Sequence, residues 1–481
     1  MFRKIVFGLG VVLIALVAVL AVRTAQYRPA PIAASDPITF EADLDTAVET
    51  LSAAIRYQTI STDMTHPDFR AFLSFLQDRY PNVHRVMTRV ELTPVTPLYK
   101  WEGKDSSLPP VLLAAHYDVV PVAPFSLDQW VHPPFSGAVA DGFVWGRGTL
   151  DNKGALIAML SAAEQLIADG FTPERTVYFS FGGDEEVGGE GALAVANHLT
   201  EQGTVLEWAL DEGSFVLNDI IPGLDVPVAS INLAEKGYLS MKLVATAEGG
   251  HSSMPPRETA VGQLSRAVYR LQEAPMPGGL TDISAEFFDA LGRHFTLEKR
   301  VIFANRWLFE PVLENILSGA PSTDAMLRTT TAPTMLEGSQ KENVLASRAV
   351  ATVNFRVHPR DTADDIIAHV RQAIDDERIE IIVNRDFVSP ASPVADSSGP
   401  GYVDVEASIR DVFGPIASVP GLTIATTDAR HYAKAAKAAY RINPFIITGD
   451  DLARFHGLNE RLSVDNIEKG IRFYAALLSR Q

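Results

Sequence analysis

The segment 181–192 reads FGGDEEVGGEGA and sets Asp184, Glu185 and Glu186 side by side directly after the apolar run TVYFSF. Carboxylates crowded at the end of a buried strand repel one another, and burial without partners adds a desolvation cost. A solvated acidic turn is the ordinary explanation of such a triplet; the alternative is a nearby positive charge. Four further stretches place acids or histidines where strands end: HYD (His116 to Asp118) after VLLAA; WGRGTLDNKG, with Asp151 in a glycine-rich turn that opens a helix; ALDEGS, with Asp211 after an apolar run; and RFHGLNE, with His456. Side chains two apart on a strand share a face, so His116 and Asp118 can enter one cleft. There a carboxylate orients a ligating imidazole and raises its basicity. Taken singly, each stretch is a turn or a surface histidine. Together they supply two histidines and several acids, enough for two divalent sites that share a bridging carboxylate. The chain has no cysteine, which excludes disulfides and thiolate chemistry. Nitrogen and oxygen donors suit zinc, or a harder ion such as cobalt or manganese.

The surrounding pattern supplies elements to position these groups. PPVLLAAHYDVV and TVYFSFGG read as buried strands, and GALIAMLSAAEQLIADG as a helix stopped by Gly170. Helical periods run through FEADLDTAVETLSAAIRYQTI and FRAFLSFLQDRYP. This alternation predicts an α/β fold with a mixed, mostly parallel sheet flanked by helices. Ligands in such sheets gather at the carboxyl ends of strands, where His116, Glu185 and Asp211 fall. From about Lys236 the pattern changes to β-α-β-β-α-β, the ferredoxin-like split unit, interrupted by an added helical segment at 276–330. After Phe387 the α/β pattern returns. The expected organisation is therefore an N-terminal segment (1–37), a metal-binding catalytic domain (38–235 with 388–481) and an inserted α+β lid (236–387).

With 481 residues, two domains are the expectation, and 47% hydrophobic content indicates ample core. A net charge of −18 offers no basic stripe for phosphate and argues against nucleic acid as a partner. Ile5 to Val22 is an uninterrupted apolar run between Arg3–Lys4 and Arg23. It is long enough to cross a bilayer and reads as a single-pass signal-anchor, with a cleaved signal peptide as the alternative. Either places the remainder outside the cytoplasm, membrane-anchored in the first case and secreted or periplasmic in the second.

The ordered set HYDVVP, HPPFSG, DGFVWGRGTLDNKG, DEEVGG, DEG, GHSSMP and FHGLNE resembles the co-catalytic di-zinc aminoacylase/carboxypeptidase family, from about Phe40 to the C-terminus. TDAMLRTTTAPTM, VNFRVHP, TDARHYA and RFHGLNERLSV resemble its carboxypeptidase S and N-fatty-acyl-amino-acid synthase/hydrolase branch. The resemblance implies two divalent metal ions, most often Zn2+. Asp151 would bridge them, His116 and Asp211 would complete one site, and Glu186 and His456 the other. It gives Asp118 the role of partner to His116, Glu185 that of general base, and His251 of GGHSSMP that of oxyanion donor. It also implies a cis Asp151–Asn152 bond and a homodimer formed through the lid. Arg356, Arg430 and Asn305 are the candidates for holding substrate. Ser214, Ala346 and Ala425 depart from the family's common glycine, proline and glycine, which touches loop shape and not the ligands. The implied reaction is cleavage of the amide of an N-acyl amino acid bearing a free carboxylate, reversible in this branch, with short-peptide carboxypeptidase activity as the alternative. An inactive membrane-tethered binding protein would lack a ligand or the base, and none is missing.

Overall fold

Strand Val111–His116 shows how this sequence builds its layers. Val111, Leu113 and Ala115 join one apolar core, while Leu112 and Ala114 join another on the opposite face. The first core is completed by helices Lys153–Ala168 and Val464–Leu478, and the second by helix Glu190–Glu201. Burial on both faces explains why this strand reads as a continuous apolar run with no alternation. The computed structural model describes residues 2–29, 39–224, 226–385 and 388–481. The expected boundaries at 37/38 and 387/388 touch residues 37, 38 and 387, which lie outside that set.

The large sheet is mixed. Its centre is parallel, with Val111–His116 between Val177–Gly182 and Trp208–Asp211, and Ala439–Arg441 beyond. Antiparallel strands Thr88–Thr93 and Thr96–Trp101 close one edge. On the other side Val228–Glu235 pairs parallel with Ala417–Thr423. His116 pairs in register with Gly182, and Leu113 with Leu210. Two helical crossovers thus leave three neighbouring parallel strands at one level, bringing the HYD, DEE and DEG stretches together at the carboxyl ends.

A second sheet has the order Thr330–Glu337, Arg348–Val357, Gly237–Thr246, Ile379–Val383, all antiparallel, with helices Ala260–Glu273 and Ala363–Ile374 over it and a separate apolar core. A capping box between Thr362 and Asp365 fixes the start of the second helix. The strand at 330–337 was absent from the pattern. All of its residues are exposed or half-buried, so it carries no apolar alternation.

Residues 276–330 form helices Asp282–Gly292, Leu297–Ala304, Arg306–Leu317 and Pro321–Leu327. Their core, built on Phe288, Leu291, Phe295, Phe303 and Leu313, also takes in Tyr27 and sheet residue Val419. Helix Phe2–Gln26 carries the apolar N-terminal run and ends against this cluster.

Candidate active site

His116 ends its strand fully buried, and its two ring nitrogens serve different partners. Nδ1 lies 3.0 Å from the Asp118 carbonyl and 3.4 Å from Asp118 Oδ1. Nε2 lies 2.9 Å from Asp151 Oδ1 and 3.2 Å from Glu212 Oε1. Across the same Asp151, His456 Nε2 stands 3.1 Å from Oδ2 and 3.3 Å from Glu186 Oε1. Asp151 thus offers one oxygen to each histidine, the arrangement a bridging carboxylate requires. Ligand atoms of His116, Asp151 and Glu186 fall within 4.8 Å of one another, as do those of His116, Glu185 and Glu212.

The loops that carry these groups are held from behind. Asp118 accepts hydrogen bonds from the backbone N–H of Glu185 and of Glu186, at 3.2 and 3.1 Å, so one carboxylate orients His116 and clamps the DEE turn. Asp184 is buried and accepts from Gly191 N–H at the start of helix 190–201; it caps a turn and does not face solvent. Glu460 is fully buried. Its Oε1 accepts from the N–H groups of Gly148, Leu150 and Asp151, and its Oε2 pairs with Arg147 at 2.6 Å. The Asp151–Asn152 bond is cis, and Asn443 donates to Asn152 Oδ1 at 3.2 Å. His456 has φ of 56°, a left-handed conformation that non-glycine residues avoid and that recurs at functional sites.

Electrostatics around this cluster are dominated by acids. Burial pushes Glu185 well above the usual carboxylate range, His116 opposing and Glu212, Asp428 and Glu186 reinforcing. Burial likewise pushes Glu212 up to about 8 and Asp211 up to about 6. Asp151 is lowered in spite of burial by its hydrogen bonds to both histidines. Those to Asp151 and Glu186 lift His456 to about 10. Burial would lower His116, but Glu212, Asp118 and Asp151 carry it well above its ordinary value. Asp211 Oδ2 and Asp428 Oδ1 are buried without a hydrogen-bond donor. Unsatisfied anionic oxygens of this kind are costly unless a cation meets them. The donor set and its charge deficit fit two divalent ions.

Other expected residues fall at varied distances from this centre. Arg430 reaches the DEE loop, donating to Gly188 O at 2.9 Å, and approaches Glu235 at 4.0 Å. Arg356 sits on the second sheet with its guanidinium over the Tyr238 ring. His251 is exposed at the edge strand Gly250–His251, and its Nδ1 accepts from Ser253 N–H. Two expected residues have their nearest partners elsewhere. Asn305 is buried in the helical insertion, where its amide NH2 donates to Thr24 Oγ1, Leu20 O and Val301 O and so faces the N-terminal helix. Asp211 ends its strand, but it is Glu212, the next residue, whose carboxylate meets His116.

Glu212 was visible in the DEG motif, yet spacing alone could not say which of two adjacent acids turns inward. Glu460 stood in FHGLNE with no sign of its four partners. Asp428 and Glu235 also escaped notice. Glu235 accepts from Thr427 N–H and Oγ1 and from buried Arg441, fixing the loop that carries Asp428 and Arg430. Asp428 approaches so closely that a Cβ on Gly189 (φ 67°) would sit 1.9 Å from its Oδ1.

The sequence pattern of peptidase family M20/M25/M40 matches residues 112–480. The chain belongs to this family. A probable carboxypeptidase S-like protein of Dictyostelium discoideum is 40% identical over 92% of this chain and 86% of its own length. An N-fatty-acyl-amino acid synthase/hydrolase of Xenopus tropicalis is 39% identical over 90% of this chain and 85% of its own. Among solved structures, an M20 family metallo-carboxypeptidase from Sulfolobus solfataricus shares the fold, with a TM-score of 0.63 and 19% identity over 90% of this chain and 98% of that one. This M20 chain is therefore a hydrolase of a metallopeptidase family, and the His/Asp/Glu cluster is its candidate divalent-metal site.

Proposed function

We propose that the chain hydrolyses the amide of N-acyl amino acids bearing a free carboxylate, long-chain acyl groups included, and that the reaction is reversible. The observation that carries the chemistry is the convergence of His116, Asp151, Glu186, Glu212 and His456 with Glu185 beside them. His116 and Glu212 would hold one ion, Glu186 and His456 a second, with Asp151 between; zinc is the expected metal. When bound, such ions acidify water and polarise an amide carbonyl. Glu185, half-buried beside this cluster, takes the proton of the attacking water and returns it to the departing nitrogen. Asp118 holds Glu185 in place through its backbone N–H. We assign Arg430 and Arg356 to the substrate carboxylate, because a planar guanidinium meets it with two parallel hydrogen bonds. His251, exposed on the lid, is assigned to the developing oxyanion, within this chain or in a homodimer.

Substrate class is argued from similarity to the N-fatty-acyl-amino acid synthase/hydrolase over nine-tenths of the chain. The 40% identity to a carboxypeptidase S-like protein supports a second reading, cleavage of short peptides. Residues 38–235 with 388–481 would act as the catalytic domain and 236–387 as the lid. Turnover of N-oleoyl-phenylalanine and of Gly-Leu by metal-loaded protein decides between the two. Preference for the oleoyl substrate is expected; preference for the dipeptide selects the second reading, and inactivity on both removes the two together.

A further inference from the structure

Helix Arg306–Leu317 is apolar on two sides: Leu313 and Leu317 are buried in the core of the insertion, and a second apolar stripe faces outward. Trp307, Leu308, Val312 and Ile316 are 56, 40, 55 and 58% exposed, and the spacing 308, 312, 316 puts them on one stripe with Pro311. Its charged groups turn the other way. Arg306 donates to Leu280 O and pairs with Glu310, and Glu314 accepts from Leu280 N–H. A helix whose outer face meets water carries polar residues there.

This face begins where the N-terminal helix docks. Asn305, the residue before the helix, donates to Thr24 Oγ1 and Leu20 O, and Arg23 donates to Ala304 O. Leu16 and Leu20 are half-buried there, and Thr24 and Tyr27 buried, so the contact runs along one side of the final turns. The apolar run Ile5–Val22, whose last turns make this contact, spans roughly 27 Å at about 1.5 Å per residue, close to the hydrocarbon thickness of a bilayer. Arg23 and Arg28 mark its aqueous end. A helix starting at that level has its tryptophan at headgroup depth, where the amphipathic indole is favoured.

We propose that the exposed face of helix 306–317 lies in the interfacial layer of the same bilayer that holds the N-terminal helix, so that the insertion is a second, in-plane membrane contact. The partner is a lipid surface, met through apolar area and not through charge; a chain of net charge −18 gains nothing from anionic headgroups. The placement goes beyond the amide-cleaving reading and does not depend on it.

Trp307 supplies the probe. The other four tryptophans, Trp101, Trp130, Trp145 and Trp208, are at most 8% exposed. Full-length protein is reconstituted in phosphatidylcholine vesicles with brominated acyl chains, and the Trp307 emission is taken as the difference from a Trp307→Phe protein. The expected result is blue-shifted emission, quenched by the brominated lipid and shielded from aqueous iodide at every protein-to-lipid ratio. In Val312→Glu/Ile316→Glu, bromide quenching is lost while turnover of a short soluble substrate is kept. Iodide-accessible emission without bromide quenching overturns the proposal. So does shielding from both quenchers that grows with protein density, which identifies a second copy as the cover, and so does bromide quenching unchanged by the two glutamates. Flotation with the vesicles reports separately on the N-terminal helix.

Discussion

Replacing Glu460 by glutamine tests whether the metal site is built from behind. The carboxylate accepts three backbone N–H bonds on Oε1, among them that of Asp151, and an Arg147 ion pair on Oε2, all buried. A glutamine has one acceptor oxygen. Its better orientation keeps that oxygen on the three N–H groups and turns the amide NH2 toward Arg147, donor against donor. Breaking a buried pair by removing one partner costs about 3–5 kcal/mol. Arg147 keeps Gly457 O at 3.0 Å and the Trp130 ring, which places the loss near the lower end, about 3 kcal/mol. Because the same oxygen sets the Asp151 backbone, metal affinity should fall by roughly 10–100-fold, the usual effect of removing a group that orients a ligand. Chemical denaturation gives the first quantity and competition against a chromophoric chelator the second. Glu460→Gln with parental metal affinity would refute the claim that Glu460 positions Asp151, whatever its stability.

Four further outcomes are expected. Glu185→Gln should retain both metals and lose about 10²–10⁴ in kcat, measured with metal content in the same sample. Glu212→Gln should lower metal stoichiometry more than Asp211→Asn does, measured by elemental analysis after dialysis. Glu212, Asp211 and Glu460 have folded pKa values of about 8, 6 and 7, all raised by burial, so the metal-free folded chain holds protons that the unfolded chain has released. Their contribution to stability is complete below the unfolded values near pH 4 and is lost as pH rises toward 8; Tm of chelator-treated protein should fall over that window, and metal should restore it. Asn305→Ala should leave KM unchanged while loosening the N-terminal helix, read as faster proteolysis near Thr24.

The site was legible where chemistry coincides with strand ends. His116, Asp151, Glu186 and His456 each stand in a short motif whose residue types already suggest ligands, and a parallel sheet brings strand ends together. Choosing between Asp211 and Glu212 needed the geometry of the residue after the strand, which no periodicity encodes. Glu460, Asp428 and Glu235 act through backbone groups and neighbouring loops hundreds of positions away, and such partners leave no local trace. Asn305 was a candidate only through the family resemblance, and its partners in the N-terminal helix leave no local trace. The strand at 330–337 was missed because it buries too little to show alternation.

An anomalous-difference map from crystals grown with zinc tests the central claim most directly. The account predicts two peaks a few ångströms apart with Asp151 between them, one against His116 and Glu212 and the other against Glu186 and His456. A single peak, or none at Asp151, would contradict it.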